Sequence, residues 1–129
     1  MSEVRGVVVA HGSLARCLVE TTENISGVEG ALLPISNAEC SPDLLEARIR
    51  DAVQGGPALL FVDLASGSCA HAARLVGRDG PGIPVVAGVN LPMLLDFVFH
   101  RDLDLTELTK RAVQKGRAGA VVYPPDSSK

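Results

Sequence analysis

Basic charge is scarce in this chain. Twelve lysines and arginines face fifteen aspartates and glutamates, a formal net charge of −3, whereas binding to a phosphate backbone usually draws on a clustered basic surface. Nucleic acid is excluded as the main partner on that ground. Cysteine is scarce too. Cys17, Cys40 and Cys69 are an odd number at no zinc-like spacing, which fits free thiols in a reducing cytosol better than a disulfide framework. No apolar run nears the ~20 residues that span a bilayer, and the run over residues 7–10 is too short for a signal-peptide core. The expected place is therefore the cytoplasm, with any membrane role coming through partners. The nucleotide-binding patterns G-x-x-x-x-G-K-[ST] and G-x-G-x-x-G are missing. So is the G-x-S-x-G of serine hydrolases.

What is present is a regular alternation of elements. Residues 4–10 are a continuous, largely β-branched run, the pattern of a strand buried on both faces. Leu14, Leu18, Thr21 and Ile25 then recur at helical spacing, and Gly27 is placed to close that helix. Residues 31–35 read as a second strand. Ser41 and Pro42 open a second helix as N-cap and first helical residue, its core face being Leu45, Ile49, Ala52 and Val53, and Gly55-Gly56-Pro57 stops it. Strands are expected at 58–64 and 83–89 and helices from about 68 to 76, from Pro92, and from Asp104 to about Lys115, with Asp104 and Glu107 as a capping box. Residues 120–123 are expected as a short last strand and 124–129 as a frayed tail, so that 1–123 make a single domain. Strands alternating with helices imply an α/β fold, a three-layer sandwich of mostly parallel sheet with helices on both faces.

Ligands in such folds bind beyond the carboxyl ends of the strands, which singles out three loops: 11–13, 63–68 and 89–92. His11 ends the first strand just before a helix, where helix-terminal amides would face an anion carried on the ring. Gly12 permits close backbone approach there, and Ser13 adds a hydroxyl or a cap. Asp63 ends an otherwise apolar strand, "ALLFVDL", where a buried carboxylate without a partner is costly. Paired with His11, it would fix the imidazole tautomer and leave the other nitrogen free. Ser66, Gly67 and Ser68 follow as a candidate anion cradle. Blander readings stay open from the residues alone: His11 as a solvated strand end, Asp63 as a loop aspartate, Ser68 as an N-cap only. His11, Asp63, Cys69 and His71 together have the residue types of a zinc site but no familiar spacing. His100 reads as a surface residue at a helix end.

Taken together, the segments "VVVAHGSLARCLVETTENISG", "LLFVDLASGS", "VVAGVNLPMLLD" and "AVQKGRAGAVV" resemble, in order and spacing, the IIA components of the mannose (fructose/sorbose) type of the phosphoenolpyruvate:sugar phosphotransferase system. The G-V-N-L-P-M stretch separates this type from the neighbouring dihydroxyacetone-kinase phosphocarriers. The resemblance implies a phosphotransferase in which His11 accepts phosphate from the phosphocarrier protein HPr and passes it to a IIB domain. Asp63 would orient the imidazole, and Ser68 with nearby backbone amides would help hold the phosphoryl group, which the place of Gly12, Ser13 and Gly67 in the loops makes them candidates to bind as well. It further implies no metal or nucleotide cofactor, a short antiparallel edge strand, a homodimer, and contact with membrane IIC and IID components through IIB.

The chain departs from the family pattern at one loop. Where the family often has Trp-Gly-Gly-Ser-Pro after its aspartate, residues 65–69 read Ala-Ser-Gly-Ser-Cys, and no IIB domain is expected within the chain. That loop borders the active histidine. It therefore keeps a second reading open: a regulatory phospho-switch of an incomplete phosphotransferase system that binds a target protein without sugar transport.

Overall fold

A computed structural model describes residues 3–79 and 82–125. Strands β1 (Arg5–Ala10), β2 (Leu32–Ser36), β3 (Ala58–Val62) and β4 (Val85–Ala87) alternate with helices α1 (Leu14–Ser26), α2 (Pro42–Val53), α3 (Ser68–Gly77) and α4 (Leu91–Val98), and α5 (Leu105–Ala118) closes the order. The strands lie β2-β1-β3-β4, and every pairing is parallel. Strand order therefore reverses between β1 and β3. Ala10 lies beside Ser36, and Val9 beside Val62. The residues that follow, His11, Asn37 and Asp63, consequently emerge together at one edge.

Both faces of the sheet are covered, as the continuous apolar strands require. Val8 and Ala10 of β1 join Val19 of α1, Leu94 and Phe97 of α4 and Leu108 of α5 in one core layer. Their neighbours Val7 and Val9 join Leu45 and Ile49 of α2 and Ala73 of α3 in the other. Phe61 and Phe97 meet edge to face, with ring centroids 5.3 Å apart. Each fully buried aliphatic or aromatic side chain contributes roughly 1.5–3 kcal/mol, so the central strands make a rigid platform for the loops at their ends. No helix among the described residues is long and apolar enough to cross a membrane.

The local signals act as their chemistry dictates at several boundaries. Gly27 adopts φ +76° and its N–H closes α1 on the carbonyl of Glu23 at 2.8 Å. Ser41 caps α2 by accepting from the Leu44 amide at 3.2 Å, with Pro42 in the first turn. Asp104 caps α5 by accepting from the Glu107 amide at 2.9 Å. The strands are shorter than expected: β3 ends at Val62 and β4 holds three residues.

Two expectations, for the face of α1 and for the last strand, differ from the fold. The core face of α1 is Ala15, Val19 and Thr22, one residue on from the expected set, with Leu14 and Ile25 43% and 61% exposed. Two successive left-handed residues, Gln54 at φ +54° and Gly55 at φ +72°, end α2. The antiparallel edge strand does not form within the single chain: residues 120–123 belong to no strand, and Val121, Val122 and Tyr123 are 65%, 65% and 82% exposed. Leaving α5 at Ala118, the chain meets no strand to pair with. Of the expected tail, residues 126–129 lie outside the described residues.

Candidate functional site

The reversal between β1 and β3 opens a crevice at the carboxyl ends of those strands, the place where open parallel sheets bind ligands. His11 follows β1 and Asp63 follows β3, so adjacent strands hold the two side chains against each other. Nδ1 of His11 lies 2.7 Å from Oδ2 of Asp63. The same oxygen accepts the backbone N–H of His11 at 3.0 Å, and Oδ1 accepts that of Leu64 at 3.0 Å. An ionised carboxylate only accepts. Nδ1 therefore carries a proton toward Asp63, and in the neutral ring the lone pair is on Nε2.

Electrostatics agrees with that assignment. The Asp63 side chain is 10% exposed. Burial alone would raise its pKa, but the hydrogen bonds from the His11 amide and imidazole, together with attraction to the ring in its protonated form, outweigh burial and hold the carboxyl below its ordinary value of 3.8. The imidazole itself is 42% exposed. An anchored carboxylate thus orients a ring whose far nitrogen is open to a partner.

Gly67, at φ +99°, precedes α3, and a Cβ built on it would lie 3.8 Å from Nε2 of His11. Positive φ there favours glycine, and the α3 N-terminus comes up beside the ring. The first helical bond of α3 is donated by the His71 amide to the Gly67 carbonyl at 3.0 Å, so the amides of Ser68, Cys69 and Ala70 precede the ladder. Gly12 and Ser13 lead into α1 on the other side. The Ser13 side chain makes no cap hydrogen bond, and the Gly12 amide donates to Oδ1 of Asn37 at 3.2 Å. Nδ2 of Asn37 in turn donates to Oγ of Ser68 at 3.3 Å.

Of the residues singled out in the first two loops, Asp63 and Gly67 lie against the His11 ring, and Ser68 is linked to Gly12 through Asn37. The third loop has a structural part instead. Asn90 caps α4 through the Met93 amide at 3.1 Å and donates to the carbonyl of Gly116 at 3.0 Å. Asn37 is the residue that sequence reasoning missed. Its one signal was position, directly after β2, the strand end left out of the three loops considered.

Cys69 is fully buried against the site, its sulfur 3.8 Å from Nδ1 of His11. Burial, with the Asp63 charge second, pushes its thiol up to about 11. His11, Asp63 and Cys69 present ligand atoms within 4.8 Å of one another, while His71 is exposed on α3 and outside that group. A thiol of that pKa is ionised to about one part in a thousand at pH 8. Alkylation of the native protein at that pH is expected to modify exposed Cys17 and leave Cys69 unmodified, as peptide mass mapping would show. Equal labelling of the two would contradict the burial described.

The architecture defines a class: an open parallel α/β sheet carrying an oriented imidazole at its switch point. Comparison with known proteins makes the class specific. The family described as "PTS system fructose IIA component" matches residues 6–114, and the chain belongs to it. The mannose-specific EIIAB component of the phosphotransferase system of Escherichia coli (strain K12) is 32% identical over 120 residues. Those residues are 88% of this chain and 37% of that protein, so the chain spans little more than a third of the length of the curated relatives it matches. Among solved structures, the EIIA component from Streptococcus agalactiae superposes with a TM-score of 0.87 at 21% identity, covering 93% of this chain and 97% of that one. The mannose/sorbose-specific IIA subunit from Enterococcus faecalis gives 0.84 at 22%, covering 98% of each chain. At those identities the superpositions speak for the fold.

Proposed function

We propose that this chain is a cytoplasmic phosphocarrier in which Nε2 of His11 accepts a phosphoryl group from HPr and passes it to a IIB domain. The observation that carries the reading is the 2.7 Å contact between Nδ1 and Asp63, which leaves Nε2 as the exposed nucleophile. The lone pair of Nε2 attacks phosphorus as the bond to the donor's imidazole nitrogen breaks, and that electron pair returns to the donor. Asp63 stabilises the positive charge that develops on the His11 ring. Gly67 borders Nε2, and Ser68 with the free amides that begin α3 directly behind it suits the phosphoryl oxygens, with Gly12 and Ser13 on the α1 side. Delivery to IIB, and through it to membrane IIC and IID components, follows the family's scheme. Incubation with phosphoenolpyruvate, enzyme I and HPr is expected to raise the intact mass by one phosphoryl group. An unchanged mass beside a competent control IIA would overturn the reading.

Assembly belongs to the same proposal. β4 is an edge strand with one open side, and residues 120–123 are an apolar stretch left exposed. An unpaired edge and an unpartnered apolar segment call for each other. Two chains that exchange this segment as an added strand would form a homodimer. Light scattering at micromolar concentration is expected to give a dimer mass, and removal of residues 119–129 a monomer. A full-length monomer would contradict the exchange.

A further inference from the structure

The geometry points to Asn37 as a positioning residue that joins the two phosphate-facing loops and aims the Ser68 hydroxyl proton at the group carried on His11. The inference rests on the phosphoacceptor reading of His11. It concerns a residue that touches neither the imidazole nor the phosphorus.

The Asn37 backbone is pinned at the carboxyl end of β2. Its N–H donates to the carbonyl of Ala10 at 3.4 Å, and its carbonyl accepts from the Cys40 amide at 3.2 Å. The Ser36 hydroxyl accepts the next amide, that of Ala38, at 3.0 Å. The side chain projects from this braced turn between the α1 and α3 N-termini. It bridges residues 25 and 31 positions away in sequence.

The orientation of the Asn37 amide follows from its partners. A backbone N–H can only donate, so the atom facing Gly12 at 3.2 Å must be the carboxamide oxygen. The nitrogen then faces Ser68 Oγ at 3.3 Å and donates to it. A hydroxyl that accepts there keeps its own proton for another acceptor. A phosphoryl oxygen carried on the ring is an anionic acceptor and forms a charge-assisted bond with such a proton. Asn37 therefore sets the polarity of the Ser68 hydroxyl. By holding the Gly12 amide it also fixes the backbone directly behind His11.

A double-mutant cycle on single-turnover transfer from phosphorylated HPr tests this. Asn37→Ala and Ser68→Ala are each expected to lower the maximal rate about tenfold, the size of one charge-assisted hydrogen bond. The HPr concentration giving half-maximal rate should stay within about twofold, because the effect lies on the phosphoryl group. Since one residue acts through the other, the double variant should be slowed about as much as either single one. Rates that multiply to about a hundredfold would overturn the inference, as would an unaffected Asn37→Ala or Ser68→Ala protein. If Asn37→Ala does not fold, Asn37→Asp retains an acceptor for Gly12 but draws the Ser68 proton inward. It is then expected to slow transfer at least as much as Ser68→Ala, and wild-type rates would overturn the inference. No label on the wild-type protein would instead defeat the phosphoacceptor reading itself.

Discussion

His11→Ala is expected to reduce phosphoryl acceptance to background while leaving the fold intact. The side chain is 42% exposed, so its removal opens no core cavity. The remaining histidines offer no substitute in the crevice. His100 uses Nδ1 on the Asp96 carbonyl at 2.7 Å, and its Nε2 lies 3.4 Å from an Arg111 nitrogen, on the α4–α5 side. His71 is exposed on α3, and among the described residues no carboxylate is paired with its ring. A phosphoramidate on His11 should hydrolyse in mild acid and persist in base. Retention of label by the alanine variant would remove His11 from the account, and label on His71 would move the site along α3.

Asp63→Asn should slow transfer by about 10- to 100-fold without unfolding the protein. The carboxylate accepts three N–H groups through two oxygens. Asparagine offers one oxygen and one donor amide, so at least one N–H must lose its acceptor or face another donor. If that N–H is on the ring, the tautomer that exposes the Nε2 lone pair loses its support. One charge-assisted hydrogen bond is worth roughly 1.5–3 kcal/mol, which at 1.4 kcal/mol per decade gives that range. The same pair has a signature in stability. Because the folded protein lowers the Asp63 pKa, its contribution is present above the ordinary value of 3.8 and is lost as pH falls through the folded value. The stability gap between wild type and Asp63→Asn should therefore narrow as pH is lowered past about 4, as chemical denaturation would show. A constant gap, together with an unchanged transfer rate, would mean the carboxylate does not bear on the ring.

Much of this site could be read from the chain because the signals were local. An apolar strand ending on His11 and another ending on Asp63 each carry their own warning of an unusual residue, and the parallel sheet brings such ends to one edge. Gly67 and Ser68 follow Asp63 closely enough to share that edge. The face of α1 was harder, since two sets of residues recur at the same spacing. Leu14 and Ile25 have the greater bulk, but Ala15, Val19 and Thr22 are the ones buried against the sheet. Residues 120–123 have strand-like composition, but a strand also needs a partner, which no local pattern supplies. Asn37 belongs to no periodic pattern. Its importance comes from contacts made by chain segments distant in sequence, and only the folded backbone brings them within reach.

The central claim is that a phosphoryl group sits on Nε2 of His11, because Asp63 occupies Nδ1. Nitrogen-15 and phosphorus-31 NMR of the enzymatically phosphorylated protein, with the histidine rings labelled, reports which ring and which nitrogen carry phosphorus. A single phosphohistidine is expected, at position 11, bonded through Nε2, with the Nδ1 proton still held toward the carboxylate. Phosphorus on Nδ1 of His11, or on His71 or His100, would contradict it.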